Sequence, residues 1–384
     1  MPLRVVYLIR SLDLGGAERQ LVALARGHDR TQFEPHVISV YPGGVLEAEL
    51  REAGVALHCL DKAGRWDLIA AQRRLGRLLR RLRPAILHGS LTTGNLMALA
   101  ARRALPEVKL IWGWRASALD YAHYGTWLRM AETLERRLSA RPDLIIANAE
   151  AGKRDQLARG AAARQIAVVP NGIDVERFKP DVAARERIRA EWSLAPDHKA
   201  IGLIARLDPM KGHEVFLEAA ARASAARPDL HFVAIGGGAP ETLQSLQARA
   251  ESLAVADKVI WAGRCLDVQD ALAALDITTS ASLFGEGFSN ALAEAMASGL
   301  PCVATDVGDS ALILGDCGLV VPPGDAAALA EAWPALLARV ENEGEGFRAA
   351  NRRRIVDNFS LEAMVARTEA LYRALLAGDA LGDG

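Results

Sequence analysis

The sequence predicts an α/β protein made of two doubly wound parallel sheets, each in its own domain. Three observations carry this. Short apolar runs rich in Val, Ile and Leu alternate with helical stretches almost from end to end. A length of 384 residues exceeds what one ordinary core organises. The first 180 residues carry an excess of basic side chains and the remainder a matching acidic excess, so the net charge of −1 conceals two unlike halves.

Strands are expected at 3–9, 35–40, 55–60, 85–87, 109–112 and 144–147, then at 200–205, 231–235, 258–262, 277–279, 302–304 and 318–321. With 51% hydrophobic and 24% charged residues the chain reads as globular, not disordered. No apolar run is long enough for a membrane span, and the N-terminus enters a strand without a signal-peptide pattern. Cys59, Cys265, Cys302 and Cys317 form no C-x-x-C pair, which argues against zinc or redox motifs. A cytoplasmic location is the expectation, with no nucleic-acid partner. The basic half suits anionic lipid at the inner face of the membrane or a phosphate-bearing acceptor. A salt-bridged interface between the halves explains the same charges.

After the first strand, Gly15 and Gly16 precede an apolar-patterned helix. Glycines there form a turn, or let a phosphate or sugar approach the backbone. Residues 65–84 form the clearest amphipathic element, with Leu75, Leu78, Leu79 and Leu82 on one side and five arginines mostly on another. Such a helix packs its leucines on a sheet, or rests on lipid headgroups. His88 ends a strand, where a polar side chain would face a cleft. Trp112, Trp114, Tyr121, Tyr124 and Trp127 form the densest aromatic patch, read as core or as a stacking surface for sugar or lipid. Residues 168–174, with Pro170 and Asn171-Gly172, suit an interdomain hinge.

In the second half, strand 200–205 runs into Arg206 and then Lys211-Gly212. Two cations at a strand's carboxyl end can stabilise a departing diphosphate, or can simply be solvated. Gly236-Gly237-Gly238 follows the next strand. Residues 283–306 hold Gly285-Glu286-Gly287-Phe288, then a helix stopped near Gly299 and Pro301. The first turn of that helix invites an anion. Glu286 and Glu294 lie about 12 Å apart along a helix axis, beyond the roughly 5–9.5 Å of a glycosidase pair. They suit the two ends of a long ligand such as a nucleotide-sugar, unless they are unrelated.

This segment closely resembles the signature E-G-F-x-N-x-x-x-E-A-M-A-x-G-x-P of retaining glycosyltransferases of family 4, the group-1 glycosyl transferases with a GT-B fold. Glu286, Gly287, Phe288, Asn290, Glu294, Ala295, Met296, Ala297, Gly299 and Pro301 all match. The G-G-A-E loop, the P-N-G-I-D run followed by Phe178 and Pro180, and R-x-x-P-x-K-G from Arg206 extend the likeness over nearly the whole chain. The resemblance implies two Rossmann-like domains facing a central cleft. Residues 1–174 would bind acceptor and 175–360 the nucleotide-sugar, with a last helix at about 361–384 crossing back onto the first domain. Arg206 and Lys211 would hold the diphosphate, joined by N–H groups at Gly287, Phe288 and Ser289. Glu286 would bind sugar hydroxyls and Glu294 the ribose. Gly16, Gly237 and Asn290 would lie near the donor, and the 261–268 loop, with Arg264 and Val268, would receive the base. Gly15, His88 and Arg115 would line the acceptor side. Arg115 stands where many relatives have a histidine, Ser280-Ala281-Ser282 replaces a frequent Pro-Ser, and Ala311 replaces a frequent glutamate.

The implied reaction is retaining transfer of a hexose-type sugar from a UDP- or GDP-sugar to a glycan or lipid-linked acceptor, in bacterial polysaccharide or cell-envelope synthesis. No cofactor is expected, and the lack of a D-x-D run argues for no metal. The rivals are a nucleotide-sugar epimerase or hydrolase on the same fold, and a non-catalytic sugar-binding protein.

Overall fold

The computed structural model describes residues 2–13, 15–64, 67–115, 126–265 and 267–379, with the backbone alone at 126–128. The chain divides into two compact units, Met1–Gly172 with Leu361–Gly384, and Ile173–Ser360. The division falls between Gly172 and Ile173, inside the stretch read as a hinge.

The first unit holds β1 (Leu3–Ile9), β2 (Phe33–Ser39), β3 (Ala56–Cys59), β4 (Ile86–Ser90), β5 (Lys109–Trp114), β6 (Leu144–Ala147) and β7 (Ile166–Val168). They form one parallel sheet in the order β3-β2-β1-β4-β5-β6-β7. The period of two along β1 assigns its faces. Val5, Tyr7 and Ile9 join one core layer with helices Gly16–Gly27 and Leu361–Ala377, while Val6 and Leu8 join the opposite layer with helices Leu68–Leu82 and Leu91–Arg102. Both faces are covered, which is why β1 reads as a continuous apolar run.

The second unit holds β8 (Lys199–Ile204), β9 (Leu230–Ile235), β10 (Val259–Gly263), β11 (Ile277–Ser280), β12 (Cys302–Thr305) and β13 (Gly318–Val321). Their order is β10-β9-β8-β11-β12-β13, again all parallel. Phe216, Phe232 and Trp333 pack ring against ring in its core, and Trp333 Nε1 donates to Thr279 Oγ1 at 2.9 Å. The two sheets are GT-B architecture, two Rossmann-like folds in one chain.

Several details differ from the sequence reading. β7 was not anticipated: three half-buried residues leading straight into Val169-Pro170 are too few to show a period. β4 runs on to Ser90, so His88 lies within the strand rather than at its end. The amphipathic helix is Leu68–Leu82, ended by Arg83 in the left-handed region; Arg65 and Trp66 lie outside the described residues. Its Leu75, Leu79 and Leu82 are buried, and Arg73, Arg77 and Arg80 face a groove shared with Arg103. Trp112 and Trp114 are core residues, 0% and 5% exposed, not a stacking surface. Tyr121, Tyr124 and the side chain of Trp127 lie outside the described residues.

Candidate functional site

In the second unit the strand order reverses between β8 and β11, so the loops after these two strands open side by side at the carboxyl edge. The β8 loop is shaped first by local rules. Asp208 Oδ1 accepts from Met210 N at 3.1 Å, and Pro209 opens a single 3-10 turn, Pro209–Lys211. Gly212 then takes φ +67°, and a Cβ there would lie 2.0 Å from the carbonyl oxygen of Ala281. Only glycine lets the turn lie this close to the β11 loop. Leu283 N donates to Met210 O at 2.8 Å and ties the two loops together.

That contact brings Lys211 to Glu286. Lys211 Nζ donates to Glu286 Oε1, and Ser282 Oγ donates to the same oxygen at 2.8 Å. Glu286 is 8% exposed. Its loop is clamped from below: Thr305 Oγ1 donates to Ser282 O at 2.6 Å, and Asp309 N to Gly287 O at 3.0 Å. Gly308, at φ +65°, passes so near that a Cβ would sit 2.6 Å from Glu286 O. Phe288 is buried against the Phe359 ring. Ser289 caps the helix Asn290–Ala297 without a side-chain hydrogen bond. Asn290 and Glu294, four apart, share a face of that helix and are half-buried.

The other expected donor residues rim the same carboxyl edge. Gly236 (φ +155°) crosses β8 so closely that a Cβ would meet Ala205 O at 1.8 Å, and Leu207 N donates to Gly237 O at 2.9 Å. Arg264 is exposed just after β10, its Cβ 3.4 Å from where one on Gly237 would be. Val268 opens the helix Val268–Ala273 and is half-buried. Arg206 is not drawn to the Lys211–Glu286 pair. Its side chain is 72% exposed, with Asp208 at 3.5 Å.

Two residues in this site went unread in the sequence. Ser282 registered only as part of a departure from Pro-Ser, yet it is a hydrogen-bond donor to Glu286. His213 follows Lys211-Gly212 directly and is 4% exposed, with neither ring nitrogen bonded among the described residues. Burial, then the Lys211 charge, lowers its pKa to about 4. A histidine adjoining a K-G pair was the one available signal.

In the first unit Gly15 lies between β1 and its helix, and Gly16 is the first residue of that helix. The Glu18 carboxylate folds over Gly15, where a Cβ would meet its Oε2 at 2.1 Å, and burial raises its pKa. His88 is 1% exposed and does not face solvent; its Nδ1 lies 2.7 Å from Tyr372 Oη. Burial, then the Arg115 charge, lowers its pKa to about 3. Arg115 Nη1 donates to Asn171 Oδ1 at 3.1 Å.

Two family models match the sequence. Glycosyltransferase Family 4 matches residues 14–177 and Glycosyl transferases group 1 matches 198–339. The chain belongs to this glycosyltransferase family. Among curated glycosyltransferases, the D-inositol 3-phosphate glycosyltransferase of Segniliparus rotundus is 33% identical over 258 residues, covering 64% of this chain and 56% of that protein. The lipopolysaccharide core biosynthesis mannosyltransferase LpsB of Rhizobium meliloti is 29% identical over 219 residues, covering 54% of this chain and 61% of that protein. The matched segments thus span less than two thirds of either relative. Among solved structures, Anabaena HepE in complex with UDP-glucose superposes with a TM-score of 0.82 at 19% identity, covering 97% of this chain and 100% of that one.

Proposed function

We propose that this family member transfers a hexose-type sugar, with retained anomeric configuration, from a UDP- or GDP-sugar to a glycan or lipid-linked acceptor in bacterial polysaccharide or cell-envelope synthesis. The observation that carries the reading is the Lys211–Glu286 pair at the strand-order reversal, held by Ser282 beside a helix N-terminus. A cation, a carboxylate and the positive end of a helix in one place suit a sugar diphosphate. The mannosyl- and inositol-phosphate-directed relatives and the UDP-glucose complex of HepE support the ligand class.

In this reading the second unit binds donor. Arg206 and Lys211 draw off the diphosphate with the N–H groups of Gly287, Phe288 and Ser289, Glu286 holds sugar hydroxyls and Glu294 the ribose. Gly237, Arg264 and Val268 adjoin the nucleotide and Asn290 the phosphates. The first unit, through Gly15, His88 and Arg115, takes the acceptor. The acceptor oxygen attacks the anomeric carbon from the face that the phosphate oxygen leaves, and its proton passes to that oxygen. No metal takes part.

Thermal-shift screening against UDP-, GDP- and ADP-sugars, then transfer of a labelled sugar with and without EDTA, tests this. The expected result is stabilisation by one nucleotide series and an EDTA-resistant product of retained configuration. Inverted product, or stabilisation by none of the sugars, overturns it. Rapid release of free sugar or epimer without acceptor points to the hydrolase or epimerase instead.

A further inference from the structure

Between Asp67 and Glu107 the chain has eight arginines and no lysine, aspartate or glutamate. The crossovers from β3 to β4, β4 to β5 and β5 to β6 all step the same way across the sheet order. Right-handed connections therefore lay helices Leu68–Leu82, Leu91–Arg102 and Thr126–Arg137 side by side on one face. Gln72 Nε2 donates to Met97 O at 3.1 Å across the first junction, and Thr92 Oγ1 to Glu135 Oε2 at 2.7 Å across the second. With Leu75, Leu79 and Leu82 turned into the core, the arginines are left on the outer side of this layer.

Between the first two helices runs a groove of about 570 Å3 with a floor of glycine and alanine. Arg73, Arg77, Arg80 and Arg103 rim it. Their neighbours Arg74 and Arg102 pair with Asp67 and Asp143. The four rim arginines are exposed and have no hydrogen-bond or ion-pair partner among the described residues. Arg73, Arg77 and Arg80 follow one another at spacings of four and three, where like charges on a helix repel. Gly76 weakens the helix further. Packing does not require it, because a Cβ there would meet nothing within 4 Å. Its missing side chain instead deepens the groove. An open, uncompensated cationic groove suits an anion, and forked guanidiniums match phosphate oxygens two at a time.

What lies beside the groove selects the source of that phosphate. Leu68 and Ile69, in the first turn of the same helix, are exposed, as are Met130 and Leu134, one turn apart on helix Thr126–Arg137. A second basic pocket, of about 400 Å3, adjoins that pair and is lined by Arg129, Thr133, Arg136 and Arg159. A small soluble phosphate would engage the arginines alone. A bilayer surface uses both features, taking guanidiniums at its phosphates and aliphatic side chains between its headgroups.

We propose that this three-helix face docks on an anionic bilayer. Phospholipid headgroup phosphates seat in the groove on Arg73, Arg77, Arg80 and Arg103, and Leu68, Ile69, Met130 and Leu134 enter the headgroup layer. The surface belongs to the first unit alone and does not depend on which sugar is transferred.

Vesicle co-sedimentation of the full chain tests it. Wild-type protein should bind phosphatidylcholine vesicles containing about one third phosphatidylglycerol, and not phosphatidylcholine alone, with affinity falling as salt rises. Arg77→Glu combined with Arg80→Glu should weaken binding on the order of a hundredfold. Arg26→Glu combined with Arg51→Glu makes the same charge change at exposed positions on the opposite face, and should cost far less. Gly76→Leu fills the groove without altering charge and should weaken binding severalfold. Circular dichroism should show each variant folded. No binding of the wild type to the acidic vesicles overturns the proposal. Equal losses in the two charge-reversal pairs, or full binding by Gly76→Leu, overturn the groove as the seat. Without vesicle binding, stabilisation by millimolar inorganic phosphate that Arg77→Glu with Arg80→Glu abolishes would assign the groove to a free anion instead. None of these readouts involves turnover, so each outcome is distinct from failure of the transferase reading.

Discussion

Lys211 and Glu286, 75 residues apart in the chain, meet across the point where the second sheet reverses its strand order. Glu286 Oε1 already takes two hydrogen bonds, from Lys211 Nζ and Ser282 Oγ. The carboxylate is thereby fixed before any ligand arrives, the preorganisation that makes an electrostatic site effective. Glu286→Gln and Lys211→Ala should each lower turnover on the order of a hundredfold or more. Circular dichroism should show both variants folded, and near-normal rates in both would reject their assigned roles.

Arg206 gives a contrasting expectation. Its side chain is 72% exposed and pairs with Asp208 at 3.5 Å, so it contributes little to stability. Arg206→Ala should leave the melting temperature essentially unchanged. Its donor affinity should fall roughly tenfold or more, as expected for loss of a charge-assisted contact to phosphate. Isothermal titration with the stabilising nucleotide-sugar reads this directly. Unchanged affinity would remove Arg206 from the donor site.

Gly212 and Gly236 carry the backbone approaches that build the site. Added methyl groups would lie 2.0 Å from Ala281 O and 1.8 Å from Ala205 O, and both residues have positive φ. Gly212→Ala and Gly236→Ala should therefore each destabilise the protein by about 2–4 kcal/mol. Chemical denaturation measures it. Gly43, at φ +80° with nothing within 4 Å of an added Cβ, is the control for backbone strain alone, and Gly43→Ala should cost only about 1 kcal/mol.

Stability should fall in mild acid. Burial lowers the His88 pKa to about 3 and that of His213 to about 4, from an ordinary 6.5. Depressed folded-state values mean that the unfolded chain binds the protons first. The stabilisation is complete above 6.5 and is lost as pH falls toward the folded values. Each group should cost roughly 2 kcal/mol between about pH 7 and about pH 5, at about 1.4 kcal/mol per pKa unit. Denaturation across this range should slope less in His213→Phe than in the wild type. An equal slope would show that His213 is not held neutral by burial.

Much of the architecture follows from neighbours in the chain. Alternating apolar runs placed β1, β6 and β13 at 3–9, 144–147 and 318–321, the same bounds the folded chain has. Backbone rules are equally local: Gly212, Gly285 and Gly299 all adopt positive φ at a turn or helix end. The E-G-F-x-N motif and the K-G pair identify the family because each is a short stretch held by its own turn. Contacts made by distant parts of the chain are another matter. His88 reads as a polar strand-end residue and is instead sealed beneath Tyr372, 284 residues away. Ser282 looks like a neutral replacement until the fold turns its hydroxyl on Glu286. β7 is too short to show a period, and its place depends on pairing with β6. Spacing along the chain encodes φ, ψ and which face a side chain takes. Which partner waits on that face is decided only when separate strands, each tolerable in many registers, pack into one sheet.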